Sequence, residues 1–131
     1  MLVDVWRGKP EFPELVKVVQ EQAERWRPRM ILIEDAASGQ SLIQSLRRFT
    51  MLPILPIKVD RDKVTRAQAA TPWFETGRVW FRADAPWLGD LEAELEYFPT
   101  GQHDDQVDSV TQYLNFVQQY GRRKAVKARV V

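Results

Sequence analysis

Two groups of acidic residues occupy positions where a folded chain can put carboxylates to chemical use. Glu34-Asp35 directly follows the apolar run Met30-Ile31-Leu32-Ile33, and Asp104-Asp105, with Asp108 next, opens a stretch whose apolar residues recur at helical spacing. A short continuous apolar run reads as a strand covered on both faces, and open α/β sheets bind ligands at the C-terminal ends of such strands. A carboxylate in that place is partly desolvated unless something pairs with it. At the helix start, Asp105 and Asp108 share one turn. Carboxylates that converge from a strand end and a helix start can hold two divalent cations about 3.5–4 Å apart, which stabilises the attacking and leaving oxygens of a phosphodiester. Phosphoryl transfer is the chemistry that suits these residues.

Each of these residues also has a plainer reading. Asp104 is a good helix N-cap, and Asp105 and Asp108 are favoured near the positive end of a helix whatever else they do. His103 is either a ligand or general base, or a surface residue of a loop. Lys63 and Arg66 either grip a phosphate or solvate a helix face. The chain has no Cys, so a metal here must be held by carboxylates, His or water, which points to hard cations such as Mg²⁺ or Mn²⁺.

The elements that must position these groups follow from apolar spacing. Met1 to Trp6 is β-branched and aromatic and stops at the turn signal Arg7-Gly8-Lys9-Pro10, so it predicts a strand. From Pro13, the residues Leu15, Val18, Val19, Gln22, Ala23 and Trp26 mark one face of a helix that ends before Pro28. The strand at Met30–Ile33 comes next, then a small-residue loop from Ala36 to Ser41, then a helix carrying Leu42, Ile43 and Leu46. Leu52 to Val59 reads as a strand, with Pro53 and Pro56 placing it at an edge or bulge. A helix opens near Asp60-Arg61-Asp62-Lys63 and is anchored by Trp73 and Phe74 before Gly77, and Val79-Trp80-Phe81 reads as one more short strand. Trp87, Leu88, Leu91 and Leu95 mark a further helix, and Val107, Val110, Leu114 and Val117 the last one. Alternating strands and helices predict an α/β domain with parallel strands.

A chain of 131 residues with 44% hydrophobic content can bury one core, which sets it apart from disordered and fibrous classes. Nineteen basic residues against eighteen acidic ones neither require nor exclude a nucleic-acid partner. Charge is distributed unevenly, with a basic stretch from Arg122 to Arg129 and an acidic one at Glu92, Glu94 and Glu96. Residues 1–120 are expected to form the domain and 121–131 a basic, flexible tail able to contact phosphates. No apolar run is long enough to span a bilayer and the N-terminus lacks a signal-peptide layout, so a cytoplasmic protein is expected. The glycine-rich G-x-x-x-x-G-K-[ST] loop of a motor ATPase is missing from the chain.

Four ordered blocks carry a resemblance: Ile31 to Leu42 (ILIEDAASGQSL), Asp62 to Ala67 (DKVTRA), Gly77-Arg78-Val79, and Phe98 to Ser109 (FPTGQHDDQVDS). In order and spacing this set resembles the nuclease domain of tailed-phage terminase large subunits, a branch of the ribonuclease H-like superfamily. The resemblance implies a mixed or parallel central sheet flanked by helices, and an Mg²⁺- or Mn²⁺-dependent endonuclease that cuts concatemeric viral DNA. It implies double-stranded DNA as substrate, with an upstream ATPase domain, a portal and a small terminase subunit as partners in a phage-infected or prophage-carrying bacterial cell. Carried over to this sequence, it makes Glu34 the strand-end metal ligand, with Asp35 as the alternative. The Asp104-Asp105 pair becomes the source of the helix-start ligand. Asp105 is preferred, because Asp105 and Asp108 also resemble the two acids of the last helix in related junction resolvases. Lys63 and Arg66 match a basic pair set near the DNA backbone.

One family feature has no match in the sequence: a further catalytic Asp on a central first strand. Met1 to Trp6 resembles the family's second strand, so the central place would be filled by upstream sequence, by exchange with another copy through unpaired sheet edges, or by Met1–Trp6 itself, which would bring Asp4 near Glu34. With two acids instead of three, weak metal binding and little nuclease activity are expected. Two other functions remain open at this point: a non-catalytic prophage remnant that keeps the fold, and a resolvase- or transposase-type nuclease using the same carboxylate chemistry.

Overall fold

A computed structural model gives the element order α1 (Phe12–Trp26), β1 (Ile31–Glu34), α2 (Ser38–Phe49), β2 (Ile54–Ile57), α3 (Lys63–Glu75), α4 (Leu88–Tyr97) and α5 (Asp105–Val130). The structure describes the backbone of residues 1–59 and 61–130, and the side chains of these residues other than 38 and 122–130. The basic tail expected from Arg122 onward therefore lies outside the described side chains. The fold is α/β, as alternation predicts, and falls into two compact units: Arg7–Asp60, and Met1–Trp6 together with Arg61–Val131.

The first unit is a strand-helix-strand crossover with one extra helix. β1 and β2 are parallel, with Ile31 opposite Ile54 and Glu34 opposite Ile57. Parallel neighbours need a crossover between them, and α2 provides it while packing on both strands; α1 packs on α2. Ala23, Leu42, Ile43 and Leu46 are buried, and Leu46 is fully so. β2 tolerates Pro56 because the carbonyls of Pro53 and Ile57 face β1 and accept from Ile31 and Asp35. Pro56 then points its missing donor away from the ladder, as the edge position predicted for it requires.

α2 begins at Ser38, inside the segment expected to be a loop. Gly39 makes this possible. A Cβ at that position would run into the backbone carbonyl oxygen of Glu34, so a side chain there would push the first turn of α2 off the end of β1.

In the second unit, α3 and α4 both pack on α5. Asp62 caps α3: its carboxylate accepts from the Thr65 backbone N–H at 3.0 Å and from the Thr65 hydroxyl at 2.7 Å, which holds the Asp62 carboxyl below its usual pKa. The helix ends in a Schellman motif, with Gly77 at φ 64°, Arg78 N–H donating to Trp73 O and Gly77 N–H to Phe74 O. That explains the glycine of the Gly77-Arg78-Val79 block. The apolar faces of the unit close over Ala70, Leu91, Val107 and Leu114.

Two expected strands are not formed. Among the described residues the sheet has two strands, and neither Met1–Trp6 nor Val79–Phe81 belongs to it. The two segments meet through the Leu2 N–H and the Trp80 carbonyl, 2.9 Å apart. Their β-branched and aromatic residues suit a strand, but strand structure requires a continued ladder, which this contact does not supply. Asp4 accordingly lies outside any strand.

Candidate acidic site at the start of the last helix

Lys63 and Arg66 lie one turn apart on α3, and Asp104 and Asp108 one turn apart at the start of α5, so each pair presents a single face. Where α3 packs on α5 these faces meet. The Lys63 ammonium sits 2.9 Å from both carboxylate oxygens of Asp104 and 3.1 Å from Asp108 Oδ2. Arg66 Nη2 donates to Asp108 Oδ1 at 2.8 Å and Nη1 to the carbonyl of Arg61 at 2.7 Å. Arg66 Nε is buried without a hydrogen bond among the described residues. The backbone joins in, since Asn115 Nδ2 on α5 donates to the carbonyl of Arg66 at 3.0 Å. The hydrogen bonds to Asp104 and then Asp108 raise the Lys63 pKa above its usual value.

Burial grades this network. The Arg66 and Asp108 side chains are 11% and 16% exposed, whereas those of Lys63 and Asp104 are 49% and 31% exposed. The Arg66–Asp108 pair is thus the inner part and Lys63–Asp104 the outer, solvent-screened part.

Asp105 differs from both neighbours. It is exposed, and among the described residues its side chain makes no hydrogen bond or ion pair. Three carboxylates face two cations here, so the unbalanced charge is that of Asp105. His103 is also exposed.

Asp105 and Asp108 lie in the first turn of α5, as their plainer reading has it, but Asp104 does not cap the helix with its side chain. Both oxygens of Asp104 are directed at Lys63, and the first donors of α5 go instead to Glu94, a residue of α4 that is 6% exposed. Glu94 Oε2 accepts from the backbone N–H groups of Gln106 at 3.0 Å and Val107 at 3.4 Å, and Oε1 from Gln106 Nε2 at 2.7 Å. Sequence reasoning missed Glu94. Its signal was its place three residues after Leu91 and one before Leu95, which sets it on the apolar face of α4, where a carboxylate needs partners.

Glu34 and Asp35 belong to the other unit, at the end of β1. Asp35 is half-buried and its N–H extends the ladder to Ile57 O at 2.8 Å, but Glu34 is exposed. The desolvation expected of a carboxylate after an apolar run is therefore not found: as the last residue of the strand, Glu34 has already left the covered stretch.

Carboxylate oxygens suit Mg²⁺ or Mn²⁺, so the donor chemistry of the α5 acids fits a hard cation. Asp105 offers its oxygens outright, while Asp104 and Asp108 offer theirs in exchange for the Lys63 ammonium. Among the described residues no group of three or more His, Cys, Asp or Glu is gathered as a metal cage. No helix among the described residues is long and apolar enough to cross a membrane.

No curated protein and no solved structure matches the chain. The family model described as Terminase RNaseH-like domain matches residues 2–116, which takes in every element up to the middle of α5. The chain belongs to the terminase ribonuclease H-like domain family, a family of nuclease-type domains.

Proposed function

We propose that this domain is the metal-dependent endonuclease of a phage DNA-packaging terminase large subunit, with Asp105 as a metal-holding carboxylate and concatemeric double-stranded DNA as substrate. The observation that carries this reading is the division of labour at the start of α5. Asp104 and Asp108 are tied to Lys63 and Arg66, Glu94 does the capping, and Asp105 is left exposed without a partner among the described residues. Asp105 sits in the first turn of α5, where the positive helix end favours a carboxylate, and among the described residues no side-chain partner takes up its oxygens. Membership of the terminase family supports the same reading.

A divalent cation bound here would polarise the phosphodiester and activate water for attack on phosphorus. Asp105 supplies negative charge to hold it. Lys63, exposed beside Asp104, is the member of the basic pair suited to meet a DNA phosphate and the charge that builds on it during cleavage. Arg66 lies behind it and keeps Asp108 in place. An ATPase domain, a portal and a small terminase subunit are the partners this function calls for.

Titration with Mn²⁺ under thermal denaturation tests the proposal. Mn²⁺ at ten times its Kd stabilises a native site by about 1.4 kcal/mol, and Asp105→Asn is expected to remove that gain. A second reading draws on the absence of a three-carboxylate cage among the described residues: the acids serve only as ion-pair partners that dock α3 on α5, in a domain that keeps the fold without catalysis. That reading predicts no Mn²⁺ effect in either protein.

A further inference from the structure

An α-helix leaves its first N–H groups without partners inside the helix, and the residue at the N-cap usually answers them with its own side chain. In α5 that residue is Asp104, yet its carboxylate is committed to Lys63 in a two-oxygen contact. The donors of Gln106 and Val107 are buried, with Gln106 7% and Val107 2% exposed, so leaving them unanswered would be costly. Glu94 answers them from a neighbouring helix, and also receives the side-chain amide of Gln106.

We infer that Glu94 is a positioning residue of the acidic site: by capping α5 from α4, it leaves Asp104 to Lys63 and fixes the turn from which Asp105 projects. Asp105 is the residue immediately before Gln106, and Gln106 is held by Glu94 through both its backbone and its side chain. The rotation of the first turn about the helix axis, and with it the direction of Asp105, is therefore set by a buried carboxylate that never meets the ligand. Without Glu94, the carboxylate of Asp104, at the N-cap position, is the side chain that would ordinarily answer the freed donors. Turning inward to cap them would take Asp104 from Lys63, which would be left with its contact to Asp108 at 3.1 Å. The inference rests on Asp105 binding a metal, as proposed above.

The experiment compares Glu94→Gln, Asp105→Asn and Leu91→Ala with wild type in the full chain, reading Mn²⁺ binding from the EPR signal of the free ion and first-turn order from amide exchange at Gln106 and Val107. Glu94→Gln keeps the shape but turns an NH₂ group toward donors. It is expected to speed exchange at both amides and to weaken Mn²⁺ binding about tenfold, the usual scale for a residue that orients a ligand. Leu91→Ala removes a fully buried side chain from the same helix; it lowers stability while leaving the Mn²⁺ affinity of the folded protein unchanged. If Asp105→Asn binds Mn²⁺ as wild type does, the metal reading itself has failed. If Asp105→Asn loses the ion but Glu94→Gln binds it as tightly as wild type, or leaves the two amides as protected as before, the positioning role is overturned. Equal weakening by Leu91→Ala overturns it too, because general loosening then explains the loss. Should Glu94→Gln not fold, Gln106→Ala decides: it removes the Nε2 contact alone, and weaker Mn²⁺ binding supports the role while unchanged binding sinks it.

Discussion

Replacing Asp108 by alanine removes the carboxylate that faces the Arg66 guanidinium. Arg66 is 11% exposed and its Nε already lacks a partner among the described residues, so among them the variant leaves a nearly buried charge with the Arg61 carbonyl as its remaining acceptor. Breaking an ion pair of that burial costs about 3 kcal/mol, most of it the penalty of the stranded charge. Replacing Asp104 instead removes a partner from Lys63, which is 49% exposed and keeps Asp108; screening limits that loss to about 0–1 kcal/mol. For a chain of this length each kcal/mol moves Tm by about 4 °C. Thermal denaturation followed by tryptophan fluorescence should therefore place Asp108→Ala about 12 °C below wild type and Asp104→Ala within about 4 °C of it. In 1 M NaCl the Asp104 effect should vanish and the Asp108 effect persist, because salt screens exposed charges far more than buried ones. Equal losses in the two variants, or an Asp108 loss abolished by salt, would refute the division into an inner and an outer pair.

Further expectations concern the supports of the site. Gly39→Ala forces a Cβ into the carbonyl of Glu34 and should cost about 1–3 kcal/mol by urea denaturation; a neutral result would mean that α2 does not approach β1 as described. Leu46→Ala, at a side chain with no exposure, should cost about 2–5 kcal/mol through lost burial and a cavity, and a loss below 1 kcal/mol would deny it a core role. Lys63 has a folded pKa raised above 10.5, chiefly by its hydrogen bond to Asp104. Its contribution to stability is thus complete below that pH and is lost as pH rises through the higher folded value. The Tm difference between wild type and Lys63→Met should stay constant from neutral pH to about 10 and close above it, whereas a difference that closes near neutral pH would contradict the assignment.

How far the sequence disclosed this structure depends on what kind of interaction each feature needed. α1 and α5 were legible because Leu15, Val18, Val19 and Ala23, or Val107, Val110 and Leu114, repeat with the period of the helix itself. β1 was legible because Ile31 to Ile33 is too short and too apolar to be anything but a covered strand. Met1–Trp6 and Val79–Phe81 have strand-like residues, but a strand exists through its partners, and residue type cannot reveal whether a ladder continues. At the site, the acids and bases were visible one by one, yet charge alone could not tell phosphate contact from solvation for Lys63 and Arg66. Their partners lie 41 and 42 residues away, supplied by the packing of α3 on α5. Glu94 was hidden for a different reason: it is one of three alternating glutamates, and its spacing from Leu91 was the one mark that set it apart from Glu92 and Glu96, which are exposed.

Mn²⁺ binding by wild type and Asp105→Asn, followed by EPR on the folded proteins, bears most directly on the proposed metal chemistry. Wild type should bind the ion and Asp105→Asn should lose it. Binding that survives the substitution, or a wild type that takes up no Mn²⁺ at millimolar concentration, would contradict the account.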